Sequence, residues 1–322
     1  MNNKLILITI ENCELDRLNM YHDFVERISL QHENVKVYGH GYHGQNPKYI
    51  TTYDPSKSIH DVIDKDLGGQ VPDVIFLMNA AMATSDFTGL KSKVYVFTSD
   101  SVITNKIHVA TVMKHKFKCE GVFYNYLYGQ NLLEKTFMTD TKFYFPCWAS
   151  SKYDYEKYHT PKTVDFFMSG LRNKEYSYRY TFSDIFRGSQ LNFVDRFDVI
   201  KTKLPMKEDH DVYTDFLGKS RYSPHDGGIH GRMQGRFYES GFMKSVIIAP
   251  DLGEEMRRNG FDNGVNCVLF DRNKPVEEVR GMLTKIDELY EWENLSNNAY
   301  DLIKNRHTTD HRIKYFLETV LT

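Results

Sequence analysis

The sequence predicts an α/β protein of two doubly wound domains, and three observations predict it. Short apolar runs without alternation recur along the chain, as parallel strands covered on both faces require. Stretches of helical period separate them, which is the pattern of strand–helix–strand units around a parallel sheet. The alternation breaks once, at the polar stretch SKYDYEKYHTPKT (151–163), and then restarts. With 322 residues there is room for two domains of about 150 residues each. We expect an N-terminal domain over residues 1–155, a C-terminal domain over 156–305 and a closing helix over 306–322. The domains are expected to face each other across a cleft, with the closing helix returning toward the N-terminal domain.

Each element follows from a local pattern. LILITI (5–10) reads as a buried first strand, and DRLNMYHDFVERISLQH as a helix with Leu18, Phe24, Val25 and Ile28 on one face. NVKVYGHG (34–41) is a second strand, SIHDVIDKDLGG (58–69) a short helix closed by glycines, and VPDVIFLMNAA (71–81) a strand introduced by Pro72. KSKVYVFTSD (91–100) is a strand, NKIHVATVMKHKF a helix, CEGVFYNYL (119–127) a strand, GQNLLEKTFM a helix and TKFYFPCWAS (141–150) a strand stopped by Pro146. After the linker come strand TVDFFMSG (163–170), helix YSYRYTFSDIFRGS, strand FDVIKTK, and VYTDFLGKSRYSP as a helix running into a loop. GRMQGRFYESGFMK is a helix, SVIIAP a strand, LGEEMRRNGF a short helix and NCVLF (266–270) a strand. The remainder reads as a long helical stretch followed by a last helix through HRIKYFLETVL.

Composition narrows the function classes. A formal net charge of −2 gives no global pull toward nucleic acid or anionic membrane. LILITI is too short for a signal-peptide core, and no stretch approaches the apolar length of a membrane span. Cys13, Cys119, Cys147 and Cys267 have neither zinc or redox spacing nor the look of a disulfide framework, so a reducing, cytoplasmic setting is expected. The 22 Tyr and 21 Phe have two readings, core packing or a cleft with stacking platforms for rings.

The candidate site residues gather after the strands. In FFMSGLRNKEYSYR (166–179), Gly170 gives a tight turn, Arg172 and Lys174 follow in the loop and Arg179 enters the next helix. Free backbone N–H groups with cations at a helix start suit a diphosphate; a solvated basic loop is the other reading. Neither a dinucleotide fingerprint nor a P-loop occurs. PHDGGIHGRMQGRFYESG (224–241) places four glycines ahead of a helix that carries Arg236 and Glu239. A carboxylate one turn into such a helix can accept from two vicinal hydroxyls, as on a ribose; alternatively the two charges form an i,i+3 ion pair. Asp100 ends a strand as a base, a sugar-hydroxyl ligand or an N-cap, and His108 lies a little further on. His40 and His43 stand between glycines in an acceptor loop or a plain turn. His307, Asp310 and His311 lie within one turn, but Thr308 or Thr309 as N-cap explains that stretch better than a metal, and no metal site is expected.

Several of these pieces, in this order, resemble a GT-B glycosyltransferase, in particular the CgeB-type (spore maturation protein-like) branch of retaining enzymes. The resemblance rests on VDFFMSGLRNKEYSYRYTF, RFYESGFMKSVIIAP, FDNGVNCVLF and RHTTDHRIKYFL, and in the N-terminal half on TYDPSKSIHDVIDKDLGGQVPDVIFLMN. It covers most of the C-terminal half and the N-terminal half more thinly. It implies two Rossmann-like domains, with a nucleoside diphosphate sugar of UDP or GDP type held by the C-terminal one. Glu239 matches the family's ribose-binding Glu, Arg236 its Arg, and Arg172 and Lys174 fall where such enzymes hold the diphosphate. Relatives often carry a second Glu seven residues earlier; Arg232 stands there in this chain, which removes a sugar-contacting carboxylate. The resemblance implies sugar transfer to a hydroxyl acceptor (a glycan, a small molecule or a modified nucleobase), retaining, without metal or other cofactor; it assigns no catalytic residue in the N-terminal half, where Asp100 and His108 are the catalytic candidates from their place after a strand. Two alternatives stand beside it: a DNA-base glycosyltransferase on the same fold, and a non-catalytic two-domain binder of a small ligand.

Overall fold

The structure is a computed structural model. It describes residues 4–10, 20–39, 48–50, 53, 54, 56–78, 82, 85–98, 119–127, 139–169, 182–185, 192–195, 206–228 and 231–322. The chain forms two compact units, residues 1–146 with 312–322, and residues 147–311.

The first unit is built on a parallel sheet of six strands: β1 (Ile6–Ile10), β2 (Val35–Gly39), β3 (Val74–Met78), β4 (Lys93–Thr98), β5 (Gly121–Tyr124) and β6 (Lys142–Tyr144). Their order is β2-β1-β3-β4-β5-β6. Chain direction across the sheet reverses between β1 and β3, so this is a doubly wound sheet. Both faces are covered, which is why the strands read as unbroken apolar runs. On one face Leu7, Ile75, Leu77, Val94, Val96 and Val122 pack with Ile59, Val62 and Ile63. On the other, an aromatic cluster joins Phe76 and Phe123 of the sheet to Phe24 of α1 (Met20–Gln31). The closing helix also enters this cluster, with Phe316 centred 4.4 Å from Phe76 and 5.7 Å from Phe24. Lys4 Nζ donates to the Leu321 carbonyl at 2.8 Å. The chain end thus returns to the first unit as the sequence implied. Much of the aromatic content is packing: Phe24, Phe76, Phe97, Phe123 and Phe145 are fully buried.

The second unit carries five parallel strands: β7 (Val164–Met168), β8 (Phe193–Asp195), β9 (Ser220–Pro224), β10 (Val246–Pro250) and β11 (Cys267–Phe270). The order β11-β10-β9-β7-β8 is again doubly wound, with the reversal between β7 and β9. Its helices include α2 (Tyr155–Tyr158), α3 (Met206–Lys219), α4 (Gly235–Phe242), α5 (Glu254–Arg258), α6 (Val276–Thr284) and α7 (Trp292–Arg306); α8 (Thr309–Val320) is the closing helix.

Three local expectations change. SRYSP, expected as a loop after a helix, is β9 at the centre of the sheet. Its signal was hidden because it buries hydroxyls in place of an apolar run: Ser220 Oγ lies 2.8 Å from Ser245 Oγ, and Tyr222 O–H donates to Asp287 Oδ1 at 2.6 Å. The polar linker is ordered by side-chain caps: Ser150 Oγ accepts from Lys152 N–H and Asp154 Oδ1 from Glu156 N–H, starting a 3-10 turn and α2. The long helical stretch after Val276 is three helices, the middle one being Ile286–Leu289. The helices expected at NKIHVATVMKHKF and GQNLLEKTFM and the whole strand expected at FDVIKTK lie outside the described residues; β8 lies just ahead of the last, at Phe193–Asp195.

Candidate functional site

In a doubly wound sheet the ends of the two strands at the reversal point diverge, and loops leaving their C-terminal ends leave a crevice between them. In the second unit that place lies between the end of β7, at Ser169, and the end of β9, at His225. The chain after β9 turns through Asp226–Gly231 with left-handed backbone at Gly227, Gly228 and Gly231, φ 72°, 67° and 62°. Side chains rarely adopt that conformation, so glycine is required at these turns. Asp226 Oδ1 accepts from Gly228 N–H at 3.1 Å, and Arg272 Nη2 donates to the Asp226 carbonyl at 2.7 Å. This loop delivers α4 to the crevice.

Several contacts lock α4 in place. His225 Nε2 lies 2.9 Å from Ser240 Oγ, and Ser240 O–H donates onward to Ser223 Oγ at 3.1 Å. Because Ser240 donates onward, the imidazole supplies the proton of the first bond. The Phe237 ring stacks on His225 with centroids 4.6 Å apart. At the helix's far end a Cβ on Gly241 would come within 2.4 Å of Ile303 Cδ1, so its lack of a side chain lets α4 and α7 approach closely.

Arg236 and Glu239 are held by this helix, but not by each other. Arg236 Nη1 donates to the Ser169 carbonyl at 2.5 Å, and Nη2 donates to Gln234 Oε1 at 2.6 Å. The guanidinium therefore bridges the reversal point, from the helix after β9 to the end of β7. Gln234 is the N-cap residue by backbone conformation, yet its side chain serves Arg236 instead of capping α4. Glu239 is 9% exposed, and its Oε2 accepts from the Tyr213 hydroxyl of α3 at 2.7 Å. Tyr213 is itself buried, edge-on to Tyr153 at 6.0 Å. Among the described residues there is no Arg236–Glu239 ion pair, so the bland reading of their i,i+3 spacing does not hold.

Arg232 is 4% exposed, just ahead of α4. It faces a second buried acid, Glu255 of α5, 7% exposed. Burial pushes the Glu255 carboxyl up to about 8, against smaller opposing effects of the Met233 N–H and the Arg232 charge. Glu255 is thus a protonated carboxyl at neutral pH beside the segment that launches α4.

The remaining candidates fall elsewhere. Gly170, Arg172, Lys174 and Arg179 lie outside the described residues, directly after Ser169; so do Asp100, His108, His40 and His43. His307 and His311 are engaged separately: His307 Nε2 is 2.9 Å from the Asn259 carbonyl, and His311 Nδ1 is 2.8 Å from Thr308 Oγ1. Sequence reasoning missed Tyr213, Gln234 and Glu255. Tyr213 is 26 positions from its partner, so no local spacing announces it. The Gln234–Arg236 pair is the one a local reading had within reach. No helix of the described residues is long and apolar enough to cross a membrane.

Comparison with known proteins fits this geometry. No protein-family model and no curated protein matches the chain. Solved structures do. Sucrose-phosphate synthase from Thermosynechococcus elongatus is similar at TM-score 0.63 and 8% identity, over 98% of both chains. A glycosyltransferase from Rickettsia africae is similar at TM-score 0.62 and 12% identity, over 99% of this chain and 98% of its own. Anabaena HepE, solved in complex with UDP and glucose, is similar at TM-score 0.64 and 12% identity, over 98% of this chain and 99% of its own. At these identities the likeness establishes the fold: two doubly wound domains of the GT-B type.

Proposed function

We propose that the chain is a glycosyltransferase that moves a sugar from a nucleoside diphosphate sugar to a hydroxyl acceptor, with retention and without a metal. One observation carries this reading above the others. At the reversal point of the second sheet a buried carboxylate, Glu239, has one oxygen held by Tyr213 at 2.7 Å. A carboxylate so oriented is a preformed acceptor for the vicinal hydroxyls of a ribose, at the place where doubly wound sheets bind ligands. The GT-B fold supports it, and the UDP and glucose in HepE favour a UDP-sugar as the first donor to try.

In this reading each group has a role. Glu239 accepts from the ribose hydroxyls. Arg236 holds the Ser169 carbonyl, and so fixes the start of the loop that brings Gly170, Arg172, Lys174 and Arg179 to the diphosphate. Those cations and the loop N–H groups stabilise the charge that builds on the leaving diphosphate, and such preorganised electrostatics is the main source of rate. The departing phosphate takes the acceptor's proton. Asp100 and His108, after β4 of the other unit, act on the acceptor side. We assign the activity to the cytoplasm, a reducing setting that suits the buried cysteines Cys119, Cys147 and Cys267.

The test is a panel of UDP-, GDP- and ADP-sugars offered to the purified full chain. Hydrolysis or transfer from one of them, with a thermal shift by the matching nucleotide, is the expected result. No turnover and no thermal shift with any of them would overturn the reading.

A further inference from the structure

The N-terminal edge of the second sheet, opposite the crevice, carries a cluster that the proposed chemistry does not use. Three lysines meet two tyrosine rings there. Lys162 Nζ and Lys244 Nζ both lie against the Tyr155 ring, 5.2 and 5.3 Å from its centroid. Lys244 Nζ is also 5.0 Å, and Lys304 Nζ 5.2 Å, from the centroid of Tyr300.

The three amines are not equivalent. Lys304 Nζ pairs with Glu156 Oε1 at 2.8 Å. Lys244 donates to Asn297 Oδ1 at 2.9 Å. Lys162 donates to the Met243 backbone carbonyl at 2.9 Å, and among the described residues no carboxylate pairs with it. The carboxylates of this edge are committed elsewhere: Asp154 Oδ1 accepts from the Tyr300 hydroxyl at 3.0 Å, and Glu156 holds Lys304. His159, edge-on to Tyr155 at 6.2 Å, lies exposed at the rim. The fold fixes this inequality. Lys162 stands two residues before β7, and Met243 closes α4 before a left-handed turn at Lys244, φ 53°, leads into β10.

A part-buried amine with a like charge beside it and no acid opposite is favoured as the neutral base, since desolvation and repulsion both oppose the proton. The Tyr155 ring, 5.2 Å away, favours the cation by about 0.5–2 kcal/mol and so opposes this in part. Burial, and after it Lys244, brings the Lys162 amine down to about 7, whereas the bond to Glu156 raises that of Lys304.

We propose that Lys162 is a reactive amine and a modification site of this chain for a small activated acyl donor of the acyl phosphate class. The neutral Nζ attacks the acyl carbonyl carbon and a C–N bond forms. The C–O bond to phosphate breaks, and phosphate leaves with the bonding pair. The amine's proton passes to that phosphate, so the products are an amide and hydrogen phosphate. A neighbouring cation that lowers an amine's proton affinity is an established way to make lysine nucleophilic near neutral pH.

The experiment treats the folded full chain with acetyl phosphate from pH 6 to pH 10 and follows each lysine by peptide mass spectrometry. At pH 7 Lys162 is expected to acetylate at least about tenfold faster than Lys304, with a rate that levels off above pH 8 while that of Lys304 keeps rising. The Lys162→Arg variant should lose that label and keep the circular dichroism of the parent. A Lys162 rate at pH 7 no greater than that of Lys304, or one still climbing steeply at pH 9, overturns the proposal.

Discussion

The two edges of the second sheet treat charge in opposite ways. At the C-terminal edge the charged groups are drawn inward and meet neutral groups: Arg236 the Ser169 carbonyl and Gln234, Glu239 the Tyr213 hydroxyl. At the N-terminal edge charges meet charges near solvent, as in the Lys304–Glu156 pair, with side chains 45% and 55% exposed. Exposed pairs contribute little and tolerate change. Groups held inside by directed hydrogen bonds have fixed positions, and losing one partner leaves the other short of a bond. The first edge is therefore suited to hold a ligand group in one place, and the second to fasten helices to the sheet.

Substitutions can break or sharpen that contrast. The largest effect is expected at Glu255, whose folded-state value of about 8 lies above its unfolded one near 4.5. Below pH 4.5 both states are protonated and stability is full. Between 4.5 and 8 the unfolded chain releases the proton and the folded chain keeps it, so stability falls as pH rises. Above 8 the difference is constant. Glu255→Gln removes this loss, and denaturant melts should show the variant gaining a few kcal/mol over the parent at pH 8, at about 1.4 kcal/mol per pKa unit, and little at pH 4.5.

Glu239→Ala comes next. It should weaken UDP-sugar binding about a hundredfold, as the loss of a charge-assisted bond to a diol requires, while circular dichroism stays that of a folded protein. Arg236→Met frees the Ser169 carbonyl, and steady-state kinetics should show kcat/KM lower by about tenfold, with Lys a poor replacement because it lacks the fork that reaches both partners. Tyr213→Phe removes one hydroxyl, and the donor KM should rise about fivefold, the scale of one hydrogen bond. Smallest is Lys304→Met at the other edge, where melting temperature and donor KM should both stay within error of the parent. A large donor effect there would erase the contrast between the edges.

Much of this architecture was legible in the residues. VIFLM and SVIIAP read as covered parallel strands, and the Gly-rich approach to RFYES marked the crevice loop. What escaped has a physical reason. SRYSP is a central strand held by hydroxyls, so hydropathy does not mark it. The Arg236–Glu239 spacing suggested a pair, but each side chain finds a better partner far away in sequence, at Ser169 and Tyr213. The burial of Glu255 could not be read from LGEEMRRNGF, where Glu254 beside it is exposed.

The central claim is that Glu239 is the ribose acceptor of a nucleotide site, and a crystal of the full chain soaked with UDP tests it most directly. The ribose hydroxyls are expected within hydrogen-bond distance of the Glu239 carboxylate, with Tyr213 still on Oε2 and the diphosphate on the loop after Ser169. UDP seated elsewhere, or a crystal that takes up no UDP while calorimetry shows no binding in solution, would contradict it.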